Sequence, residues 1–397
     1  VADPLYVAAL DAGSAYTRYL VGAVERGRLR LLGAGRSLSQ GWARGRIADL
    51  PAVVESLRSA IAEGERAAGV SPDSAVVGVG GAGVEGVDNR GLYEMGRRRP
   101  IEPGDTRYAI ERALEVNLPA GRMLLQAAPQ SFLVDGQDSY WDPQGVAATR
   151  LESFVHLLTV SRQEHDSLVS AVHRAHLAVE DTVFEAYAAA LAAVTPEERR
   201  AGVAIVDIGL HSTEMAVFLD DALQTTASIP IGGIHFTRDA AHCLRLSVED
   251  AEQLKCEWGC ALRGLSADNT FIEIPSPDGL PPREAPRHDL NLALESRAGE
   301  LFLRVQNQLS KAGTDQGQLG QVVLTGGGSL LSGMWNMAER VLNCRARLGL
   351  VNTILDWPEE LRTADWTTAG GLLIYAARLR LRSVSPARPG WLSRLFG

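Results

Sequence analysis

Two short segments, Asp11-Ala12-Gly13-Ser14 and Asp207-Ile208-Gly209, place a carboxylate two residues before a glycine, each between apolar, strand-like runs. A strand, an Asp-x-Gly turn and a second strand set backbone amides against a phosphate, while the carboxylate holds the hydration shell of a magnesium ion. Asp11 and Asp207 are therefore the candidate magnesium residues, acting through water, and Gly13, Ser14, Gly209, Ser212 and Thr213 offer amides and hydroxyls to phosphates. Two later segments fit the same ligand. Glu252 and Lys255, three apart on one helical face, reach toward a ribose or base; their plainer alternative is an intrahelical ion pair worth about 0.2–0.5 kcal/mol. Gly326, Gly327, Gly328 and Ser329 follow the apolar run Gln321–Leu324 and let backbone approach a flat base. Any one of these clusters is an ordinary turn. Their order along one chain points to a cleft for a nucleotide with its magnesium ion. No G-x-x-x-x-G-K-[ST] segment is present, so a P-loop is not the source of the glycines.

The elements that must position these residues read as an α/β protein of several lobes, as 397 residues require. Residues 5–24 read as two strands joined at Asp11, with a third near Leu29–Ser37, a helix over Pro51–Ala68 and a buried strand at Ala75–Val79. Gly80-Gly81-Ala82-Gly83 then opens a different region, residues 78–156. It reads as a polar hairpin over Val84–Leu92, a helix over Pro103–Val116, and separate strands at Leu124–Ala127 and Gln130–Val134. Phe154–Val160 is a strand, Arg162–Ala175 a helix and Val183–Val194 a second, alanine-rich helix. Val203–Leu219 repeats the strand, Asp-x-Gly, strand theme of Val7–Val24, an internal duplication. Residues 233–299 are mainly helical around a proline- and charge-rich hairpin region, Ile274–Arg287, and 366–382 form a last helix.

Net charge is −9, which argues against nucleic-acid binding by the body of the molecule. Cys243, Cys256, Cys260 and Cys344 read as reduced thiols rather than a metal site, and His156 and His235 as structural histidines. With no visible signal peptide and no apolar stretch of about 18 residues, a cytoplasmic body is expected.

The order of the four segments resembles the actin and sugar-kinase ATPase superfamily. Within it, Pro129–Gln137, Asp142-Pro143-Gln144-Gly145, Arg150-Leu151-Glu152 and Val155-His156 closely resemble a stretch of the FtsA family of bacterial cell-division proteins. Ile229–Gly233, Ala251–Lys255, Pro281–Glu284 and Glu295-Ser296-Arg297 resemble its second-half segments, so the resemblance runs from about Tyr6 to Tyr375.

It implies an actin-like ATPase fold of two duplicated core domains. Domain 1A would be residues 5–77 and 157–198, interrupted by an FtsA-type domain 1C at 78–156. Domain 2A would be 199–232 and 300–364, carrying domain 2B at 233–299, and the helix 365–382 would pack on 1A. The resemblance adds Gly232 and Gly233 to the ATP-binding set and gives Glu185 the position from which related polymers orient the attacking water, its alternative being a surface helix charge. It implies self-association into actin-like filaments through 1C and 2B, and binding of the FtsZ C-terminal peptide by 2B, with Arg283, Arg287 and Arg297 as candidates. It places the protein at the division site, on the cytoplasmic face of the cell membrane, with other divisome proteins as partners. The chain departs from the family at the second phosphate loop, where Leu210, His211 and Glu214 stand for two glycines and an aspartate, and at Tyr16, where a lysine is usual. ATP binding is expected to survive these changes; hydrolysis is slow at most.

The tail carries a second site. After Asp365 there is no acidic residue, and five arginines follow Tyr375. Beyond a linker at 383–390, Trp391, Leu392, Leu395 and Phe396 share one helix face and Arg394 lies off it, the pattern of an amphipathic segment (391–397) on an anionic membrane surface. Packing of this tail on its own body is the alternative. Two further readings compete: a PilM-like cytoplasmic adaptor of type IV pilus or secretion machinery, and a sugar or acetate kinase, for which no base beside an acceptor pocket is found.

Overall fold

The computed structural model describes residues 4–266, 270–276, 281–311 and 319–384. The chain opens with an antiparallel meander, β1 (Leu5–Ala12), β2 (Tyr16–Glu25) and β3 (Arg28–Leu38). β1 and β2 are covered on both faces, which is why their sequences are nearly unbroken apolar runs. A short ribbon, β4 (Trp42–Ala43) and β5 (Arg46–Ile47), leads to α1 (Leu50–Ala68). Asp49 caps α1 by accepting from the Ala52 amide, Pro51 sits in its first turn, and Gly69 closes it in the left-handed conformation. β6 (Ser74–Val79) then pairs parallel to β1.

The inserted region is a sheet of its own. It comprises β7 (Glu85–Pro100), α2 (Pro103–Leu114), β8 (Arg122–Val134), β9 (Asp138–Tyr140) and β10 (Ala147–Ser161), with strand order β7-β10-β8-β9. Ile101, Ala109, Phe132, Val134, Ala148 and Leu151 form a small separate core beneath α2. The sequence suggested a hairpin over Val84–Leu92; the structure has one continuous strand there. Asp88-Asn89-Arg90-Gly91 has turn composition, but a Cβ at Gly91 would lie 1.9 Å from the Ala109 carbonyl oxygen, so that glycine admits α2 rather than a turn. Likewise the two strands expected around Pro129 are one, β8, with the proline seated at a register shift against β10.

α3 (Arg162–Arg174), β11 (Ala178–Phe184) and α4 (Glu185–Ala193) return the chain to the first sheet, whose order is β11-β6-β1-β2-β3. Here too the reading shifts: Val183 and Phe184 end a strand paired with β6, and the helix begins only at Glu185. The second half follows α5 (Pro196–Ala201) with β12 (Val203–Ile208), β13 (Thr213–Leu219) and β14 (Ala222–Ile229). Next come α6 (Gly233–Leu244), α7 (Val248–Trp258), the ribbon β15 (Phe271–Ile274) and β16 (Arg283–Pro286), and α8 (Arg287–Lys311). β17 (Gln321–Thr325), α9 (Met334–Leu342) and β18 (Arg345–Leu348) complete a sheet of order β14-β13-β12-β17-β18.

The two large sheets are the same arrangement twice: a hairpin meander extended by two parallel strands. Their equivalent first strands, β1 and β12, carry Asp11 and Asp207 near their ends. α10 (Thr367–Val384) crosses back to the first half, where Leu372, Leu373 and Ala376 share a core with Val7, Ala9, Leu20 and Ala188. The linker from 385 onward and Trp391, Leu392, Arg394, Leu395 and Phe396 lie outside the described residues. Among the described residues, no helix is long and apolar enough to cross a membrane.

Candidate nucleotide site

The two Asp-x-Gly hairpins place their carboxylates in closely similar positions and then treat them oppositely. Asp11 is cross-strand partner to Arg18, seven residues on; Asp207 is partner to Glu214, also seven residues on. In the first hairpin the Arg18 guanidinium lies 3.6 Å from Asp11 and 2.7 Å from Asp365. Burial nevertheless dominates: with Arg18 pulling the other way and Asp207 and Asp365 adding repulsion, the Asp11 carboxyl is pushed up to about 6. Asp207 is also raised by burial, against a 2.5 Å hydrogen bond donated by the Thr368 hydroxyl of α10. Glu214 is pushed up to about 7 by burial and by Asp207 beside it. Glu185, at the first turn of α4, is held well above the ordinary carboxylate range by burial and by Asp11, Glu214 and Asp207.

These carboxylates converge from β1, α4, β12 and β13 on the seam between the halves. That is more acidic groups than the Arg18 guanidinium beside them neutralises. Hard oxygen donors of this kind fit a magnesium ion. Among the described residues no three or more His, Cys, Asp or Glu side chains are close enough to cage a metal directly, so the fit is to an ion that keeps much of its water.

The glycine loops surround this floor. The Gly233 amide donates to the Gly209 carbonyl and the Ile234 amide to that of Leu210, which joins the start of α6 to the second Asp-x-Gly loop. Lys255 lies 2.7 Å from Glu252, 3.0 Å from the Thr237 hydroxyl and 3.4 Å from the Gly233 carbonyl, so α7 meets the same loop. The intrahelical ion pair of the plainer reading is therefore present. Burial raises Glu252, but Lys255 and Thr237 more than offset it and hold the carboxylate below its usual range. Gly326 adopts φ 79°, and a Cβ there would fall 2.2 Å from Asp207, so only glycine brings the Gly326–Ser329 turn onto the second carboxylate. A Cβ at Gly328 would collide with Ile208 at 2.4 Å, and Ser329 donates back to the Gly326 carbonyl.

Other hydroxyls are already engaged. Thr213 donates to the Ile231 carbonyl and Ser212 to Glu214, while Gly13 accepts from Ser39. Ser14 is half-buried at the tip of the first loop. His211 packs against Gly45 of the ribbon across the cleft; burial, then His235 and Arg238, lower its basicity.

Arg18, Asp365 and Thr368 belong to this site and escaped the sequence reading. Arg18 was signalled by being the lone charge in the apolar run Thr17–Val24. The three arginines of the 2B region each hold a partner: Arg283 donates to the Leu244 carbonyl, Arg287 to that of Trp258, and Arg297 pairs with Asp239 and Glu300.

The profile of the family described as "Cell division protein FtsA" matches residues 204–371, and that of the "SHS2 domain inserted in FTSA" matches 81–159. The chain is 32% identical to the cell division protein FtsA of Pseudomonas aeruginosa, over 97% of this chain and 92% of that protein. It is 31% identical to that of Bacillus subtilis, over 95% of this chain and 84% of the other. Among solved structures it resembles the PilM-PilN type IV pilus biogenesis complex, with TM-score 0.68, 15% identity and coverage of 94% and 98%. It also resembles MreB5 of Spiroplasma citri bound to ADP, with TM-score 0.55, 14% identity and coverage of 95% and 98%. At such identities the structural likenesses establish the fold, which is actin-like. By sequence, along nearly its whole length, the chain belongs to the FtsA family of cell-division proteins.

Proposed function

We propose that this chain is an ATP-binding, filament-forming actin homologue that anchors FtsZ filaments to the cytoplasmic face of the cell membrane and helps recruit other divisome proteins. The observation that carries the nucleotide part is the meeting of both Asp-x-Gly loops, Glu185 and the Gly326–Ser329 turn at one buried, anionic seam. The MreB5 structures of the same fold were solved with ADP and with AMPPNP, which supports the same ligand class here. Asp11 and Asp207 would hold magnesium through water, the loops would hold phosphate, and Glu252 and Lys255 would face the ribose or base. Bound magnesium supplies positive charge to phosphates and carboxylates alike. In turnover, Glu185 would orient water.

Membrane tethering rests on the apolar face of Trp391, Leu392, Leu395 and Phe396 with its flanking arginines. A segment this short binds weakly alone, and filament avidity multiplies it. The PilM likeness sustains one rival reading, a soluble adaptor without an anchoring tail. Co-sedimentation with anionic liposomes under Mg·ATP separates them. The full chain should pellet while one ending at Arg388 stays in solution; if both stay in solution, the tether is wrong.

A further inference from the structure

The SHS2 domain touches the second core half at both ends of one seam, at the edge of the cleft and away from it. At the cleft end, Glu214 accepts a 2.8 Å hydrogen bond from the Gly81 amide, where the chain enters the SHS2 domain. Farther out, His156 of β10 is 2% exposed and bridges two groups: its Nε2 lies 2.9 Å from the Thr226 hydroxyl of β14, and its Nδ1 lies 2.6 Å from Asp88 of β7. Gln130 of β8 donates to the Gln224 carbonyl at 2.8 Å. A Cβ at Gly86 would lie 2.5 Å from the Thr226 hydroxyl and 2.7 Å from the His156 ring, so a glycine is needed for the two sheets to close to this distance.

The Thr226–His156–Asp88 line has the spacing of a nucleophile, base and orienting acid. Thr226, however, is buried in the interface with Gly86 against it, leaving no room for a substrate carbonyl. Its role is to join two sheets.

The cleft end of this seam shares an atom with the phosphate loop. Glu214 Oε1 accepts from Gly81 and also from the Ser212 hydroxyl at 2.7 Å. Ser212 has one hydroxyl proton to donate. A phosphate in the second loop that takes that proton removes it from Glu214, so the carboxylate is no longer fixed in place for the Gly81 amide. We propose that the seam Gly81–Glu214, His156–Thr226 and Gln130–Gln224 is a latch between the SHS2 domain and the second core half, and that Ser212 releases it when nucleotide phosphate occupies the loop. This inference rests on the nucleotide reading above. It supplies what a coupled pair of sites requires: contacts made in one state, lost in the other, and a ligand that distinguishes them. The SHS2 surface would thereby report the state of the cleft.

Hydrogen–deuterium exchange of the full chain tests it, with and without Mg·ATP, following peptides covering 81–92 and 222–229. ATP binding is measured in parallel with a fluorescent ATP analogue. The expected result is that ATP speeds exchange in both peptides by about tenfold or more in the wild type. Gly86→Ala, which wedges the seam without touching the cleft, should exchange fast with or without ATP while still binding the analogue. Ser212→Ala, measured at saturating analogue, should lose the ATP effect. Unchanged exchange in a wild type that binds ATP overturns the latch, as does a Ser212→Ala protein that still responds. If the wild type binds no analogue, the nucleotide reading itself fails, a separate outcome.

Discussion

At the scale of single residues, the cleft is organised by uncompensated negative charge. Asp11 and Glu214 are raised to about 6 and about 7 in the folded protein, above the ordinary carboxylate values they have in the unfolded chain. Between roughly pH 4 and pH 7 the folded state therefore holds protons that the unfolded state has released, so stability falls as pH rises through that window. Nucleotide-free protein should lose stability on the order of 1 kcal/mol per pH unit per group there, read as a falling Tm between pH 5 and pH 7.5. Glu214→Gln should flatten that slope, and a Tm that instead rises across the window would contradict the charge assignment. Glu185 is already held toward its protonated form by burial and three carboxylates, so Glu185→Gln is expected to leave ATP affinity within about twofold. If the residue orients water, the same change should slow phosphate release by about 100-fold. Equal phosphate release by both proteins removes Glu185 from turnover.

At the scale of elements, two helices bring the cleft together. α4 begins at Glu185 in the site, and α10 delivers Thr368 to Asp207. They can approach because Gly371 has no side chain: a Cβ there would sit 1.8 Å from the Ala188 carbonyl oxygen. Gly371→Ala must push α10 outward, which costs about 1–3 kcal/mol. The expected outcome is a lower midpoint in urea together with weaker ATP binding; a variant with both unchanged would mean that the helices are not held in this register. The hairpins β1–β2 and β12–β13 were legible because each joins buried apolar strands through Asp-x-Gly, and α1 was legible from Pro51 and its periodicity. β11 was not, because Val183 and Phe184 lead straight into Glu185 and the alanines of α4, and Phe184 at the N-cap offers no side-chain capping signal to mark where the strand ends. β7 was misread because Gly91 serves packing in a sequence that composes like a turn. Asp365 and Thr368 lie 347 and 350 positions beyond Arg18, and only the return of the chain to the first half at the start of α10 unites them, which no local pattern encodes.

At the scale of the whole molecule, the duplication builds one buried, anionic seam from two halves, and the inserted SHS2 domain touches the second half as well as the first. The proposed membrane attachment through the C-terminal tail would combine apolar burial with arginines, so liposome pelleting should weaken as salt rises from about 50 to 500 mM without vanishing. Complete insensitivity would leave no role for the arginines. In pull-downs with the FtsZ C-terminal peptide, Arg283→Glu is expected to reduce retention, and unchanged retention would exclude that side chain from the site.

The claim on which the rest depends is that the paired aspartates hold a nucleotide with its metal. Titration of a fluorescent ATP analogue, with and without magnesium, into the wild type and into Asp11→Asn/Asp207→Asn measures it directly. Saturable, magnesium-dependent binding that the double substitution weakens by at least about 100-fold is the predicted result. No binding to the wild type, or equal binding to both proteins, would contradict the account.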